Sequence, residues 1–218
     1  MMTLLSAARA IGAQMQGPDN TFTAVTSDSR AILAGDLFVA IKGEHFDGHA
    51  FVADAIKQGA AGALVSQAFA ATHPGLPLIV VADTRLALGA LSAAWRARFT
   101  LPLIGITGSN GKTTVKEMCA AILRTQGGEV LATTGNLNND IGLPLTLLQL
   151  RDTHTVAVIE MGMNHAGEIS YLTCLAKPTV ALVINAQRAH LAGLGSVQDV
   201  GLAKGEIFSG LDAEGIAV

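Results

Sequence analysis

The sequence predicts an α/β fold in two parts, a small N-terminal α/β domain over residues 1–83 and a parallel-sheet domain over residues 100–218. Three observations predict it. Half of the 218 residues are hydrophobic, which is enough to fill a core. From residue 101 onward, apolar runs alternate with helical segments, as in a parallel sheet covered on both faces. A glycine-rich segment, "GITGSNGKTTVKEM", follows the first of these runs and opens the first helix.

The N-terminal domain is predicted from three short apolar runs and one helix. The runs are "DLFVAI", "AGALVS" and "PLIVVAD", and the helical segment "HAFVADAIKQGA" lies between the first two. Residues 84–99, "TRLALGALSAAWRARF", read as a connecting helix. The N-terminus lacks the basic region of a signal peptide, and no apolar stretch reaches the roughly 18–20 residues that a membrane span needs. We therefore expect a cytoplasmic protein.

The second domain is predicted strand by strand. Its strands are "LPLIGI", "EVLATT", "TVAVIEM" and "TVALVIN". Its helices are expected at Thr114–Thr125, near Pro144–Leu150, at Glu168–Ala176 and at Val197–Leu211. The last residues, "LDAEGIAV", read as the start of another strand, so we expect this domain to be incomplete at the C-terminus. Ligands of such sheets bind at the carboxyl ends of the strands.

The glycine-rich segment predicts an anion site. Loop amides and the helix N-terminus supply positive partial charge, and glycine permits close backbone approach. Lys112 would add a positive charge, and Thr113 a hydroxyl suited to magnesium. The usual phosphate-loop pattern has glycine where Ile106 stands here. The alternative is an ordinary glycine-rich turn with a solvated lysine, which the strand and helix on either side disfavour.

Polar residues follow each predicted strand. Glu160 ends the third strand, where a carboxylate is costly unless it is paired or binds metal. The loop "TTGNLNNDIGLP" is either a surface for a polar ligand or an ordinary capped loop. His190 is either a metal ligand or a structural histidine. Lys204 is either buried among apolar residues, which disfavours a free lysine, or extends to the surface.

Charge and cysteine content limit the function classes. A net charge of -3 with only 14% charged residues gives no electrostatic footprint for nucleic acid. Cys119 and Cys174 lie in apolar helical patterns, which favours buried free thiols over a disulfide or a metal pair. No guanine-recognition motif of the "NKxD" type is present, which disfavours a switch GTPase.

Several motifs together resemble the Mur ligases, the ATP-dependent amide ligases of peptidoglycan precursor synthesis. "TGSNGKTT" resembles their ATP loop, which folylpolyglutamate synthases share. "DSR", "GDLFVAIKG" and "DGHAF" resemble the N-terminal domain of the two members that add the third residue and the terminal dipeptide. "GNLNNDIGLPLTLL", "VIEMGMNHAGEI" and "AKGEIFSGL" resemble the dipeptide-adding member specifically. The resemblance covers nearly the whole chain.

The resemblance implies a function and a set of site residues. The substrates would be UDP-N-acetylmuramoyl-tripeptide, D-alanyl-D-alanine and ATP, with an acyl phosphate as intermediate and Mg²⁺ as cofactor. The implied catalytic residues are Lys112, Glu160, His190 and Lys204, the last carbamylated in relatives. The implied metal ligands are Thr113, Glu160 and His190. ATP would contact Thr107, Gly108, Ser109, Asn110, Gly111, Lys112, Thr113 and Thr114. Substrate would contact Ser27, Ser29, Arg30, Glu44, His45, Phe46, Thr134, Asn138 and Asn139.

Two departures from the family pattern limit what the resemblance implies. Ile184 stands before Asn185 where a second polar residue is expected. Relatives also have a longer central domain and a third domain that helps bind the incoming amine, so we expect the 218-residue chain alone to be inactive. The alternatives are the related ligase that adds the third peptide residue and a non-catalytic nucleotide-binding fragment. We expect a monomer.

Overall fold

The computed structural model describes residues 1–44, 46–187 and 196–218, and the chain contacts divide into two compact units, Met1–Ala94 and Trp95–Val218. Both units are mixed α/β, which confirms the predicted fold class. The functional domain boundaries at residues 83 and 100 stay a prediction. Within the described residues, no helix is long and apolar enough to cross a membrane.

The first unit contains seven short strands. Its elements are β1 (Met2–Thr3), α1 (Leu4–Ala10), β2 (Gln14–Gln16), β3 (Thr21–Phe22), β4 (Ala24–Thr26), β5 (Asp36–Val39), a 3-10 turn (Gly48–Phe51), α2 (Val52–Lys57), β6 (Gly62–Ser66), α3 (Gln67–Thr72) and β7 (Leu78–Val81). Helix α4 (Thr84–Arg96) follows within the predicted segment 84–99, and its role as a connection stays a prediction.

A five-stranded sheet organises the first unit. Its order is β2-β7-β6-β5-β4, with β2 antiparallel to β7 and the other neighbours parallel. Strand β5 is buried at every position, as its continuous apolar run predicts. The carboxyl ends of β4 and β5 lie at one edge of the sheet. The loops that carry the predicted substrate residues, 27–30 and 44–46, follow these two strands.

The second unit alternates strands and helices. Its elements are β8 (Leu103–Thr107), α5 (Lys112–Arg124), β9 (Glu129–Ala132), α6 (Gly142–Leu147), β10 (His154–Glu160), α7 (Glu168–Ala176), β11 (Val180–Val183), α8 (Val197–Gly205), a 3-10 turn (Glu206–Gly210) and β12 (Ile216–Ala217).

The second sheet is parallel throughout, with the order β12-β11-β8-β10-β9. Strand β8 lies in the middle, between β10 and β11. The chain moves from one side of β8 to the other between β10 and β11, and such a crossing point forms a ligand crevice at the carboxyl ends of the strands. The loops after β8, β10 and β11 therefore meet at one edge. The core beneath α5 is built on Ile106, Ala120 and Val158.

The predicted helix boundaries need small corrections. Helix α5 begins at Lys112, two residues earlier than predicted, because glycine at 111 lets the chain turn directly into the helix. The helix expected over Val197–Leu211 is an α-helix to Gly205 followed by a 3-10 turn. Helix α7 has the predicted bounds.

Burial differs in two places from what the sequence favours. Met118 and Ile122 are apolar residues at helical spacing in α5, yet they are mostly exposed, while Lys116 is fully buried. The helix therefore turns a different face to the sheet than the apolar pattern indicated. Cys119 and Cys174 are free thiols as expected, but Cys119 is only half-buried and Cys174 is exposed.

Candidate active site

The glycine-rich loop connects β8 to α5. Thr107, the last residue of β8, is buried, and its hydroxyl donates to the carbonyl oxygen of Met161 over 2.9 Å, which ties the loop to the end of β10. Gly111 has a φ of 79°, in the left-handed region that glycine adopts without strain. The first turn of α5 follows at once, so its N–H groups face the loop as an anion site requires.

Asn185 braces the first half of this loop. Its Oδ1 accepts hydrogen bonds from the amides of Ser109 and Asn110, over 3.1 and 3.2 Å, and its Nδ2 donates to the Asn110 carbonyl oxygen over 3.2 Å. Within the described residues, the amides of Gly111, Lys112 and Thr113 have no acceptor. These amides at the start of α5 are the donors that remain for a phosphate. Sequence analysis assigned Asn185 no role, because the contact joins two loops far apart in the chain.

Lys112 folds back over the loop. Its Nζ donates to the Gly108 carbonyl oxygen over 2.8 Å. The side chain also lines a polar cleft of about 250 Å³. The other residues of this cleft include Asn136, Asn138, Asn139, Asn164 and Glu168. A carbonyl partner is easily exchanged for a phosphate oxygen, so the lysine can turn toward a bound nucleotide.

Thr113 and Glu160 meet at the carboxyl end of β10. Glu160 is 2% exposed, which confirms the predicted burial of this carboxylate. Its Oε2 accepts from the Thr113 hydroxyl over 2.9 Å, and its Oε1 accepts from Asn138 Nδ2 over 2.7 Å. Both partners are neutral, so the buried negative charge is hydrogen-bonded but not neutralised by either. A cation bound beside it would supply that neutralisation.

The donor set at this position fits magnesium. A hydroxyl and a carboxylate are hard oxygen ligands, and magnesium in nucleotide sites takes one or two protein oxygens plus phosphate and water. Among the described residues, no group of three or more histidine, cysteine, aspartate or glutamate side chains forms a metal cage. His190, the third predicted ligand, lies outside the described residues.

Lys204 is buried on α8 with 1% of its surface exposed, so the surface alternative is wrong. Burial is the larger cause and the nearby positive charge of Lys112 the smaller one, and together they lower the pKa of its amine to about 8. The structure thus brings Lys204 within electrostatic range of the phosphate-loop lysine. A lysine with this pKa carries a substantial neutral fraction near physiological pH.

One asparagine of the asparagine-rich loop caps a turn, as the ordinary-loop alternative predicts, whereas a surface for a polar ligand stays a prediction. Asn139 Oδ1 accepts from the amides of Ile141 and Gly142, over 3.2 and 2.8 Å, and thereby holds the turn into α6. Asn138 instead turns its amide toward Glu160. A Cβ on Gly162 would lie 2.8 Å from Asn138 Oδ1, so glycine there allows the two loops to approach. Thr134 is exposed, and its substrate role stays a prediction.

Two acidic residues that sequence reasoning missed hold the loop after β10. Glu168 accepts from the Asn164 amide over 2.7 Å and pairs with His165 Nδ1 over 3.0 Å. Glu206, two residues after Lys204, accepts from the amides of Gly167 and Ser170, over 2.8 and 3.0 Å. Glu206 therefore caps α7, as a carboxylate at a helix N-terminus does. The only sequence signal was an acidic residue in the motif "AKGEIF".

The predicted substrate residues of the first unit lie on two loops after β4 and β5. Arg30 is 87% exposed along its side chain, but Asp28 holds its guanidinium through two hydrogen bonds of 2.9 and 2.8 Å. These side-chain bonds are the main reason that the pKa of Asp28 falls to about 2. Ser27 and Ser29 flank Asp28 and are half-buried. The importance of Asp28 was missed, although it lies inside the quoted "DSR" motif.

The second of these loops presents an aromatic side chain. Phe46 is half exposed and lies beside Phe51, with ring centroids 6.3 Å apart. Glu44 is exposed, and His45 lies outside the described residues. Beyond the loop, at the carboxyl ends of β5 to β7, is a cavity of about 650 Å³. The charged and polar residues that line it are Lys42, Asp47, His49, Ser66, Asp83, Thr84 and Arg85.

Comparisons with known protein families agree with the fold. The profile of the Mur ligase middle domain matches residues 106–218. The profile described as the Mur ligase family catalytic domain matches residues 21–96. Together they cover both units.

Proteins that resemble this chain in sequence or in structure include ligases of the same family. A UDP-N-acetylmuramoyl-tripeptide--D-alanyl-D-alanine ligase from Escherichia coli is 51% identical over 100% of this chain and 47% of its own length. A crystal structure of MurF from Acinetobacter baumannii superposes with a TM-score of 0.90 at 40% identity, over 99% of this chain and 48% of that one. A MurF ligase from Thermotoga maritima, solved with ADP, gives a TM-score of 0.80 at 32% identity over 89% of this chain and 44% of that one. The chain thus spans about half the length of these relatives.

Proposed function

The chain belongs to the Mur ligase family, and on that premise we propose that it forms the UDP-substrate and ATP-loop part of a ligase that joins D-alanyl-D-alanine to UDP-N-acetylmuramoyl-tripeptide. The observation that carries this proposal is the buried carboxylate of Glu160, which accepts the hydroxyl of Thr113 directly after the phosphate-loop lysine. The names of the most similar relatives support the dipeptide as the amine substrate.

We propose that ATP binds across the start of α5. The free amides of Gly111, Lys112 and Thr113 would take phosphate oxygens, and Lys112 would leave Gly108 to contact the terminal phosphates. Thr113 and Glu160 would hold magnesium. A magnesium ion bound there would offset phosphate charge during transfer. The ADP bound to the Thermotoga maritima relative supports a nucleotide at this loop.

The chemistry we propose is carboxylate activation. The terminal carboxylate of the UDP-linked peptide attacks the γ-phosphate, giving an acyl phosphate and ADP. The amine of D-alanyl-D-alanine then attacks the acyl carbon, and phosphate leaves with the bonding electrons. Both steps depend on position and electrostatics more than on protein nucleophiles. Lys112 stabilises the transferring phosphoryl group in this scheme.

Lys204 is the proposed site of a carbamate. Its lowered pKa gives a neutral amine whose nitrogen can attack CO₂, with the displaced proton released to solvent. The product is an anion in place of a buried cation, beside the positive charge of Lys112. Mass spectrometry at native pH, with and without added bicarbonate, tests this assignment through a CO₂ adduct that Lys204→Met lacks.

We assign the UDP moiety to the first unit. Ser27, Ser29 and the Asp28-braced Arg30 would contact the diphosphate or ribose, and Phe46 offers a flat apolar face to a base. Glu44, His45, Thr134 and Asn138 complete the proposed substrate set. Asn139 is the weakest member, since its side-chain oxygen already holds the turn into α6.

The remaining expectations are proposals of the same kind. We propose a cytoplasmic, monomeric enzyme, since its ATP comes from that compartment, and sedimentation tests the monomer. The isolated 218-residue chain should bind ligands without forming product, because relatives are about twice as long. The ligase that adds the third residue is the alternative, and a substrate comparison with UDP-dipeptide and a single amino acid would reveal it.

The Lys112→Ala variant tests the nucleotide assignment. Losing a charge-assisted phosphate contact costs about 2–4 kcal/mol, or about 30- to 900-fold in ATP affinity. Calorimetric titration with ATP and Mg²⁺ should show that loss at an unchanged melting temperature. Lys57→Ala is the matched control, because among the described residues that exposed lysine pairs with Asp54 of the first unit. Equal ATP affinity in both variants would contradict the phosphate-loop assignment.

A further inference from the structure

A second lysine of α5 is buried in a place where nucleotide chemistry does not require one. Lys116 is 0% exposed. Its Nζ donates to the Thr133 carbonyl oxygen over 2.5 Å and lies 2.6 Å from Glu117 Oε1. A buried ammonium is costly unless hydrogen-bonded, whereas an apolar side chain would carry no such cost here.

Thr133 connects Lys116 to the end of β10. It is the first residue after β9, and it is buried. Its amide donates to the Val158 carbonyl oxygen over 3.1 Å, which continues the pairing with β10. Its hydroxyl oxygen accepts the amide of Glu160 over 2.9 Å. Thr133 thus fixes the main chain of Glu160, while Lys116 fixes Thr133.

These contacts close a ring through the proposed metal site. Lys116 holds Thr133, Thr133 holds the Glu160 amide, and the Glu160 carboxylate accepts the hydroxyl of Thr113. Thr113 and Lys116 are three residues apart on α5, so they project from the same side of the helix. The ring begins and ends on one helix and links Lys116 to the pair Thr113 and Glu160.

We propose that Lys116, acting through Thr133, is a positioning residue that holds the Glu160 carboxylate at Thr113 for magnesium. The ammonium supplies a donor to the Thr133 carbonyl, which is the first one beyond the regular strand. An apolar side chain at 116 would leave that carbonyl buried and unpaired. The metal part of this inference rests on the proposed function, whereas the contacts themselves do not.

The test measures the contact between Thr133 and Glu160 separately from its effect on magnesium binding. Amide hydrogen exchange of Glu160, followed by NMR in the ligand-free chain, reports the Thr133 contact directly and needs no nucleotide. The Mg²⁺ concentration for half-maximal ATP binding reports its consequence for the metal. Thr133→Val removes the hydroxyl acceptor at nearly constant shape, and Thr133→Ser restores it. Lys116→Met removes the ammonium, and Lys116→Arg restores a donor.

We expect Thr133→Val and Lys116→Met to speed Glu160 exchange and to raise the Mg²⁺ requirement about 10- to 100-fold, with ATP affinity in EDTA unchanged. Thr133→Ser and Lys116→Arg should recover most of both. Glu117→Gln is the matched control, because it removes the exposed partner of Lys116 and leaves the Thr133 contact.

Folded Lys116→Met with normal Glu160 exchange and normal Mg²⁺ dependence would overturn the proposal. If that variant does not fold, the Thr133 pair decides in the same way. If the wild-type chain does not bind ATP, the proposed function fails, and the exchange measurements still decide whether Lys116 positions Glu160.

Discussion

Replacing Glu160 with glutamine removes one buried charge and leaves the side-chain shape unchanged. The carboxylate now accepts two hydrogen bonds, from Thr113 Oγ1 and Asn138 Nδ2. In the amide, Oε1 can still accept from Asn138 Nδ2, whereas Nε2 must donate to the Thr113 hydroxyl, and the loss of charge at both hydrogen bonds forfeits roughly 1 kcal/mol each, about 2 kcal/mol in total. Removing a buried charge returns a similar amount of desolvation energy. We therefore expect the free energy of unfolding to change by no more than about 1 kcal/mol.

Magnesium binding should respond far more strongly than stability. A neutral amide is a poor ligand for magnesium compared with a carboxylate. The Mg²⁺ concentration for half-maximal ATP binding should therefore rise at least about tenfold, equivalent to about 1.4 kcal/mol. ATP affinity in EDTA and affinity for the UDP-peptide should stay near wild type. Calorimetry at a series of Mg²⁺ concentrations measures all three quantities.

A matched control excludes a general effect of lost negative charge. Glu168→Gln removes a carboxylate that lines the same cleft but holds the backbone after β10. It should leave the Mg²⁺ requirement near wild type. If Glu160→Gln leaves the Mg²⁺ requirement unchanged and abolishes UDP-peptide binding, Glu160 contacts the substrate and is not a magnesium ligand.

Three further predictions concern other parts of the two units. Because the folded state lowers the pKa of Lys204 from 10.5 to about 8, the unfolded state binds more protons between these values, so stability should rise with pH across that window. The urea concentration at the unfolding midpoint, measured along a pH series, should no longer rise with pH in Lys204→Met. If it still rises in that variant, the pH dependence belongs to another titratable group. Asn185→Ala should speed amide exchange at the two loop residues it braces and weaken ATP binding severalfold, whereas tighter binding would mean that Asn185 blocks the site. Asp28→Asn should release Arg30 and lower UDP-peptide affinity in calorimetry, and unchanged affinity would remove Arg30 from the substrate site.

Most strands and helices of the second unit were predictable, because they depend on sequence patterns within each segment. Continuous apolar runs predict buried parallel strands, and glycine before a lysine predicts a loop that opens a helix. The burial of Glu160 followed from the apolar residues before it. The short strands β1 to β4 were not predicted, because segments of two or three mixed residues carry no usable period.

The missing site residues all depend on contacts between distant segments. Asn185 reaches Ser109 across 76 positions of sequence, and Glu206 reaches Gly167 across 39. The sequence analysis assigned Lys116 no role, and a lysine in a helix is usually exposed. Its burial follows from the rotation of α5, which the exposed Met118 and Ile122 also reveal. No local sequence pattern indicates how α5 is rotated about its own axis.

We propose that the ATP loop and the UDP-substrate unit serve one ligase for D-alanyl-D-alanine. The most direct measurement uses the protein encoded by the intact gene, with ATP, Mg²⁺, UDP-N-acetylmuramoyl-tripeptide and the dipeptide, and detects the product by mass spectrometry. We expect UDP-N-acetylmuramoyl-pentapeptide together with stoichiometric ADP and phosphate, and none of these three products from the Lys112→Ala variant. Product from UDP-dipeptide and a single amino acid, with no product from UDP-tripeptide and D-alanyl-D-alanine, would contradict the proposed function.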